Sequence, residues 1–401
     1  MVDGGDGGTI GCGKSGGVMA HGFSRLSIQG YRRLKDLNIA LRPINVLVGA
    51  NGVGKSSVLD ALRLLAASAD RRLSATVSDL GGMWSMLTAD GSTDTVRLGV
   101  QADFDLPAEL DYRLDIRNMM PSIAMLSEWL SDVAAVGEPA NRYIVAKGPD
   151  VEFIRSGQPS GPEGAWNSGE TALSQAPRSH REAMMFQRRL ASVSDVFHTL
   201  DVSRRAPVRT PQTISPAQGP GINGEDLVSC LYTMRETEHN RYEAVEDALR
   251  AAFPAFERLD FPPVAAGRLL LSWRDRNFTR PFDTSELSEG TLRFLWLATL
   301  LQSPGLPEVT LIDEPEVSLH PELLRLLVEL MREASTRTQL VVATHSDRLV
   351  RFLDPSELLV CDYDETGEMT AKWADTLDLA DWLADYTLDQ LWSKGVLGGR
   401  S

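Results

Sequence analysis

The sequence predicts an α/β protein in which a parallel sheet carries a phosphate-binding loop. Three stretches support this prediction: a strand, a glycine-rich loop and a helix follow one another at residues 44–65, an apolar strand ends in two carboxylates at residues 309–314, and the next strand ends in a histidine at residues 340–345. In a parallel sheet the ends of such strands lie along one edge, where they can act on one ligand.

The segments before and after these motifs have patterns that predict further strands and helices. Residues 23–41 contain two strand patterns around a Gly-Tyr turn region, and residues 44–48 form the apolar run before the loop. Residues 95–100 predict a further strand. Residues 226–253 have helical spacing, and regular α/β alternation resumes after residue 261.

The middle of the chain is interpreted as an insertion. Residues 116–225 combine helical patterns at 123–136 and 181–196 with loops rich in Gly, Pro and Ser, and no heptad repeat runs through them, which excludes a long coiled-coil arm. The expected division of the chain is a disordered glycine-rich leader at 1–21, an N-terminal head segment at 22–115, a helical lobe at 116–260 and a C-terminal head segment at 261–401.

Composition limits the class of protein. The 401 residues are 43% hydrophobic, enough for one large or two modest domains, and no stretch approaches the roughly 20 apolar residues of a membrane span. We therefore expect a cytoplasmic protein without a membrane partner. The net charge of −15 argues against a uniformly basic nucleic-acid-binding surface. Cys12, Cys230 and Cys361 stand alone in the sequence, so neither a zinc site nor a disulfide framework is indicated.

The phosphate-loop pattern occurs twice, as GTIGCGKS at residues 8–15 and as GANGVGKS at residues 49–56. Only the second copy lies between an apolar strand run and a helical run, the context in which backbone N–H groups form an anion nest. The glycines around the first copy make that segment too flexible for a nest. Lys55 rather than Lys14 is therefore the predicted phosphate lysine, and Met19 is an alternative start after a disordered leader.

Two adjacent carboxylates end the apolar run Val309–Ile312. Asp313 is predicted to hold Mg²⁺ together with the hydroxyl of Ser56. Glu314 is predicted to act as the general base or to orient the attacking water. His345, at the end of the next strand, can reach the γ-phosphate as a sensor. These residues predict an ATP hydrolase that uses ATP and Mg²⁺.

The ordered set GANGVGKSS, LSEGTLRF, LIDEPEVSLHP and ATHS resembles the ABC-type ATPases of the RecF, OLD and SMC branch. Longer runs, from APVRTPQ and INGEDL to YTLDQLWSKGVLGGR, resemble RecF-like bacterial ATPases over most of residues 22–401. The resemblance implies an ABC-type P-loop NTPase head with a mixed, substantially helical insertion. It also implies an ATP-dependent homodimer in which the signature motif of one subunit contacts the γ-phosphate held by the other.

Carried across residue by residue, the resemblance also implies the roles of the site residues. The predicted nucleotide and Mg²⁺ ligands are Gly49, Asn51, Gly52, Gly54, Lys55, Ser56, Ser57 and Asp313, the predicted contacts across the dimer are Ser288 and Gly290, and the predicted catalytic pair is Glu314 and His345. Glu316 to His320 would form the D-loop. The Q-loop glutamine of the family is not visible, and Gln175 and Gln101 are candidates for it. The stretch after His345 is too short for the TOPRIM nuclease domain of OLD proteins, so no nuclease activity is expected.

Two functions of different kinds stay open at this point. The first is an ATP-driven dimerisation switch in DNA repair or maintenance, in which the insertion passes the change to DNA or to a protein. The second is an ATPase partner or regulator in a genome-defence system that acts on an unidentified protein. An ABC importer subunit is disfavoured because LSEGT departs from LSGGQ. Seven arginines oppose three acidic residues between residues 178 and 209, so a DNA-binding surface competes there with an ordinary solvated one.

Overall fold

The computed structural model describes residues 22–103, 108–119, 122–133, 141–162, 166–377 and 387–393. It confirms the predicted α/β class, with one largely parallel and one antiparallel main sheet. The first phosphate-loop copy with Lys14, Cys12 and Met19 lies outside the described residues. Within the described ranges, no helix combines the length and the apolar character that a membrane crossing requires.

The strands of the described ranges fall into four sheets. In chain order they are β1 (Arg25–Tyr31), β2 (Leu34–Ala40), β3 (Ile44–Val48), β4 (Thr95–Ala102), β5 (Leu110–Met119), β6 (Ser122–Asp132), β7 (Arg142–Lys147), β8 (Asp150–Arg155), β9 (Gln158–Ser160), β10 (Val193–Phe197), β11 (Gln212–Thr213), β12 (Phe256–Asp260), β13 (Pro263–Val264), β14 (Arg268–Leu269), β15 (Ser272–Asp275), β16 (Phe282–Asp283), β17 (Val309–Asp313), β18 (Gln339–Thr344), β19 (Leu358–Tyr363) and β20 (Met369–Trp373). Two of the four are small three-stranded sheets, β11-β14-β13 and β12-β15-β16.

The helices of the same ranges include four of seven residues or fewer. They are α1 (Lys55–Ala69), α2 (Leu73–Asp79), α3 (Gly82–Met86), α4 (Arg181–Ala191), α5 (Leu227–Thr237), α6 (His239–Ala252), α7 (Glu289–Gln302), α8 (Pro321–Ala334), α9 (Asp347–Val350) and α10 (Leu388–Ser393). The predicted helix after the phosphate loop and the helical reading of residues 226–253 are therefore confirmed, the latter as α5 and α6.

The six-stranded sheet has the order β10-β17-β18-β3-β19-β20, and only its last pair is antiparallel. Leu47 faces a core that contains α1, whereas Val46 and Val48 face a second core that contains α7 and α8. Because both faces are covered, the strands are apolar at successive positions rather than at alternate ones, which is the pattern that the sequence shows.

The register of the central strands brings the three predicted motifs to one edge. Asp313 pairs with Ala343, and Thr344 pairs with Val48, so β3, β17 and β18 end at nearly the same level. The phosphate loop, the two carboxylates and the histidine leave the sheet from this edge. Their proximity follows from strand order and register alone.

The eight-stranded sheet has the order β2-β1-β4-β5-β6-β7-β8-β9 and is antiparallel throughout. Its buried face, which includes Ile28, Leu98 and Tyr112, packs into the core that contains α1. The strands predicted in residues 23–41 and 95–100 are confirmed as β1, β2 and β4. The sheet continues across the boundary expected between residues 115 and 116, because β5 spans it.

The helix predicted at residues 123–136 is wrong, because residues 122–132 form strand β6. β6 pairs with β5 and β7, and its register against β5 is interrupted by a bulge: Asp115 pairs with Ser127 and Ile116 with Met125, so Leu126 is skipped. A bulge shifts the alternation of a strand by one residue. The shifted apolar pattern then resembles the spacing of a helix, which accounts for the error.

The helix predicted at residues 181–196 is only partly correct. α4 ends at Ala191, and residues 193–197 form strand β10, which pairs in parallel with β17. The run contains Val193, Val196 and Phe197, residue types that suit a strand, and pairing with a distant partner decides its conformation. This strand is the sheet edge beside the predicted magnesium ligand.

Candidate functional site

A cleft of about 440 Å³ opens at the carboxyl edge of the six-stranded sheet. Ligand sites commonly have volumes of this order and lie at this edge of α/β sheets. It is lined by Arg32, Arg33, Asn51, Gly52, Gly54, Lys55, Ser56, Ser57, Asp313 and Glu314. The structure therefore brings most of the predicted phosphate and metal ligands together around one space.

The phosphate loop connects β3 to α1 and depends on two of its glycines. A Cβ on Gly49 would lie 2.3 Å from the carbonyl oxygen of Cys361, so only glycine lets the loop pass over β19. Gly54 has φ +121, a conformation that other residues rarely adopt, and it directly precedes the first helical residue. The loop's backbone N–H groups can then point towards an anion at the start of a 15-residue helix.

Lys55 is the first residue of α1 and is 8% exposed. Its Nζ donates hydrogen bonds to the carbonyl oxygens of Gly49 (2.8 Å) and Ala50 (3.0 Å). Burial lowers the pKa of its ammonium group below the ordinary value for lysine. The loop carbonyls thus hold the ammonium at the cleft, where phosphate oxygens could take their place.

Ser56 and Asp313 meet across the cleft as the metal prediction requires. The Ser56 hydroxyl lies 3.2 Å from Asp313 Oδ2 and 3.5 Å from Oδ1. A carboxylate and a hydroxyl are hard oxygen donors, and Mg²⁺ at a phosphate site needs only one or two such protein ligands in addition to phosphates and water. The donor set therefore fits Mg²⁺.

Glu314 and His345 form a direct pair. His345 Nδ1 lies 2.9 Å from Glu314 Oε1, and both side chains are about two-fifths exposed. The Glu314 backbone has φ +52 and its N–H donates to the Ala343 carbonyl at 2.8 Å, so β18 holds the residue in a strained conformation. The predicted base and the predicted sensor thus occupy one hydrogen-bonded unit beside the cleft.

Glu316 lies next to His345 on the buried side of this pair. From the sequence it was named only as the first residue of the predicted D-loop. It is 8% exposed, accepts a hydrogen bond from the Thr344 hydroxyl at 2.5 Å and lies 3.9 Å from His345 Nδ1. Burial raises the pKa of the Glu316 carboxyl above its ordinary value. This contact ties the chain after β17 to the end of β18.

The signature motif stands at the exposed start of α7. Ser288 is the N-cap, and its Oγ accepts a hydrogen bond from the Thr291 backbone N–H at 3.1 Å. Ser288 is exposed, and neither it nor Gly290 is among the residues that line the cleft of its own chain. The two predicted signature contacts are therefore not brought to the predicted phosphate ligands within one subunit.

Arg209 and Arg293 fix the position of the signature. Arg209 Nη1 donates to the carbonyl oxygens of Thr284, Ser285 and Leu287, in the segment just before the motif. Arg293 is 9% exposed, pairs with Glu289 at 2.6 Å and donates to Ser318 Oγ at 2.8 Å. The same arginine thus joins the signature helix to the predicted D-loop.

Gly290 completes the contact between these two motifs. A Cβ at this position would lie 2.7 Å from the carbonyl oxygen of Ser318, which itself has φ +62. The D-loop therefore passes directly over the first turn of α7. The two motifs form one unit on the exposed side of the molecule.

Two residues that line the cleft and one beside it were missed by the sequence reasoning. Arg32 and Arg33 come from the turn between β1 and β2, and Arg32 pairs with Asp60 of α1 at 2.6 Å. His198 follows β10, and its Nδ1 lies 3.4 Å from Asp313 Oδ2, a hydrogen bond that raises the histidine pKa. The two arginines were visible as cations in a predicted turn, whereas His198 lay just beyond a stretch interpreted as helix.

The two candidates for the Q-loop glutamine are not brought to the site. Gln175 bonds to Asn167, Glu170 and Thr171. Gln101 lies in β4, where it pairs with Arg25 on the polar face of the eight-stranded sheet. Neither residue lines the cleft at the phosphate loop.

The arginine-rich segment divides into structural and exposed members. Arg209 holds the signature segment, and Arg189 pairs with Glu308. Arg181 and Arg188 on α4 are exposed. Only part of the segment could therefore contact a polyanion.

Comparison with known proteins gives a consistent result. Residues 23–122 match a family described as an AAA ATPase domain, and residues 170–351 match one described as AAA domain, putative AbiEii toxin, Type IV TA system. The chain is 35% identical over 114 residues to the DNA replication and repair protein RecF of Pseudomonas savastanoi pv. phaseolicola (strain 1448A / Race 6), and equally to that of Pseudomonas syringae pv. syringae (strain B728a). Each match covers 27% of this chain and spans only 30% of the relative's length.

Two solved structures share the fold over most of the chain. The first is the SmcHead bound to the C-winged helix domain of ScpA, with a TM-score of 0.54 and 17% identity, covering 87% of this chain and 97% of that one. The second is an Smc head domain with an extended coiled coil bound to the C-terminal domain of ScpA, derived from Pyrococcus furiosus, with a TM-score of 0.53 and 13% identity, covering 90% and 98%. At these identities the likeness concerns the fold.

Proposed function

The chain is an ABC-type ATPase of the RecF- and SMC-like kind, and from this premise we propose that it works as a nucleotide-driven dimerisation switch in DNA repair or maintenance. ATP would occupy the cleft between the phosphate loop and the carboxylates. Two subunits would enclose two nucleotides, and hydrolysis would separate them. The coupling to DNA is supported by the partial similarity to RecF.

One observation carries the dimerisation part of the proposal. Ser288 lies exposed at the N-terminus of a 14-residue helix, outside the cleft of its own chain. A helix N-terminus with free N–H groups is suited to bind phosphate. A second copy could present its Ser288 and Gly290 to the γ-phosphate, and the rigid contact with the D-loop would bring Ser318 to the same interface.

The residues of the cleft have distinct parts in the proposed reaction. The phosphate-loop N–H groups and Lys55 bind the β- and γ-phosphates, and Ser56 with Asp313 would hold the Mg²⁺ that neutralises the charge developing on them. Glu314 accepts a proton from the attacking water or orients it. For this it must leave His345, which can instead donate its hydrogen bond to the γ-phosphate.

The test is the mass of the protein with ATP and Mg²⁺, measured by size-exclusion chromatography with light scattering. Glu314→Gln, which should bind ATP but hydrolyse it slowly, is expected to be a dimer with ATP and a monomer without it. Ser288→Arg in the same background should stay monomeric and still bind ATP. Ser78→Arg, at an exposed position on α2, is the matched control and should dimerise normally. A Glu314→Gln protein that stays monomeric with ATP contradicts the switch.

A second candidate function is supported by the description of the family that matches residues 170–351, which names a putative toxin of a toxin–antitoxin system. On this alternative the ATPase acts as a partner or regulator of a protein in genome defence. DNA titrations at several salt concentrations, with ATP and with a non-hydrolysable analogue, separate the two. Salt-dependent DNA affinity in either nucleotide state favours the repair role, and its absence in both states favours the protein-directed role.

A further inference from the structure

His198 is fixed beside the predicted metal ligand by the pairing of two strands. Val196 pairs with Leu311 and Phe197 with Ile312, so His198, the residue after β10, follows at the level of Asp313 in β17. Phe197 is buried against Trp296, which anchors the end of the strand. The His198 side chain is 61% exposed, and it borders a small cavity together with Asp313 and Glu314.

Two side-chain donor atoms lie close to the same oxygen of Asp313. Ser56 Oγ lies 3.2 Å and His198 Nδ1 lies 3.4 Å from the same oxygen, Asp313 Oδ2. Ligands at adjacent corners of an octahedron with bonds of about 2.1 Å are about 3 Å apart. Both distances are within a few tenths of an ångström of that spacing, so Ser56 Oγ and His198 Nδ1 are each separated from Asp313 Oδ2 as adjacent ligands of one cation would be.

We propose that His198 supplies a nitrogen ligand to the divalent cation of the nucleotide site and shifts the site's preference from Mg²⁺ towards Mn²⁺. Mg²⁺ binds oxygen donors and gains little from an imidazole, whereas the affinity of mixed nitrogen and oxygen sites for divalent transition metals increases from Mn²⁺ onwards. This inference rests on the proposed binding of a nucleotide in the cleft. It adds that the ion held there is selected by a residue outside the two carboxylates and the phosphate loop.

The rest of the coordination shell would come from the nucleotide and from water. In the described ranges no group of three or more His, Cys, Asp and Glu side chains is placed to hold a metal ion by itself. Mn²⁺ alone is therefore expected to bind weakly, and nucleotide is expected to increase its affinity. This dependence separates the proposed site from an independent metal centre.

Electron paramagnetic resonance of Mn²⁺ tests the ligand directly. The protein is loaded with Mn²⁺ and a non-hydrolysable ATP analogue, and pulsed measurements detect nitrogen bound to the ion. We expect a ¹⁴N coupling that becomes a ¹⁵N coupling when the protein's histidines carry ¹⁵N, which excludes adenine as its source. The coupling should vanish in His198→Gln and persist in His239→Gln, a control at an exposed histidine at the start of α6.

The affinities of the nucleotide analogue with Mn²⁺ and with Mg²⁺ provide a second readout. In the wild type we expect the analogue to bind more tightly with Mn²⁺ than with Mg²⁺. In His198→Gln this ratio of affinities should decrease about 10-fold, the lower end of what residues near a metal contribute. The affinity for the analogue with Mg²⁺ should change little. Nucleotide binding by the wild type without histidine-nitrogen coupling overturns the inference and leaves the proposed function intact. Failure of the wild type to bind the analogue with either cation overturns both.

Discussion

The two main sheets lie on either side of α1, and they use polar residues in opposite ways. At the carboxyl edge of the six-stranded sheet, Ser56, Asp313 and Glu314 face the cleft. In the eight-stranded sheet Glu128 is 2% exposed and accepts hydrogen bonds from the backbone N–H groups of Ala172 and Leu173 and from the Tyr112 hydroxyl. Polar groups at an open edge can exchange partners with a ligand, whereas buried groups with fixed partners can only hold the structure together.

The largest effect, a loss of ATP binding, is expected at the open carboxyl edge of the six-stranded sheet. Lys55→Ala should abolish tight ATP binding, because the loop loses the cation that neutralises the phosphates, while the unfolding temperature stays close to that of the wild type. Isothermal titration with ATP measures the first and a thermal melt the second. Lys14→Ala is the matched control in the other copy of the motif and should bind ATP normally. Equal loss in both variants would show that the wrong loop had been chosen.

The next largest effect, a loss of ATP turnover, is expected at Glu314, the residue after the predicted metal ligand Asp313. Glu314→Gln should keep ATP binding and lose turnover by about 10²-fold or more, the scale on which general bases contribute. Phosphate release under saturating ATP measures it. Glu322→Gln, at an exposed position in the first turn of α8, should hydrolyse ATP at the wild-type rate. Unimpaired turnover in Glu314→Gln removes this residue from the reaction.

In the eight-stranded sheet the buried carboxyl of Glu128 is expected to affect the stability of the protein against unfolding rather than ATP binding or hydrolysis. Burial raises the pKa of Glu128 from 4.5 to about 7. Because the folded protein prefers the protonated form, this stabilisation is complete below the unfolded pKa of 4.5 and is lost as the pH increases through 7, by at most about 3 kcal/mol. The unfolding temperature of the wild type should therefore decrease between pH 4.5 and pH 7 and change little above that range.

The variant Glu128→Gln isolates this contribution. Its profile of unfolding temperature against pH should be flatter than that of the wild type in the same window, because the amide does not titrate. Glu152→Gln, at an exposed position in strand β8 of the same sheet, should reproduce the wild-type profile. Identical slopes in the wild type and in Glu128→Gln would show that another group titrates there.

The smallest effect, a change in the salt dependence of DNA binding, is expected on α4, which belongs to neither of the two main sheets. If its exposed arginines contact DNA, Arg181→Ala with Arg188→Ala should lower the slope of log K against log salt by up to about two units, roughly 0.9 for each phosphate contact. ATPase activity without DNA should persist. Arg325→Ala with Arg351→Ala removes the same charge from other exposed positions and should leave the slope unchanged. An unchanged slope in the first pair favours the protein-directed role.

The two sheets also differ in how well the sequence predicted them. The strands of the six-stranded sheet that carry the loop, the carboxylates and the histidine were predicted correctly, because buried parallel strands are continuous apolar runs that end in distinctive residues. β6 was misinterpreted because the bulge at Leu126 breaks its alternation. The motif residues of the cleft follow from their spacing, since parallel strands align their ends.

The missed residues depend on contacts that no local pattern contains. His198 reaches Asp313 only because β10 pairs with a strand more than 100 residues later, and the preceding residues had been interpreted as a helix. The contact between Arg293 and Ser318 likewise joins a helix to a loop beyond the next strand. Such pairings become visible only when the strand order is known.

The position of β3 within the six-stranded sheet has a consequence for the synthesis of the protein. β1, β2 and β4 to β9 pair mainly with neighbours in sequence, so their sheet can form once the chain has been synthesised as far as residue 160. β3 lies within this part of the chain, but its two neighbours, β18 and β19, are translated some 300 residues after it. Contacts of such long range form late in folding. The strand that carries the phosphate loop therefore lacks both of its neighbouring strands until the chain has been synthesised through β19.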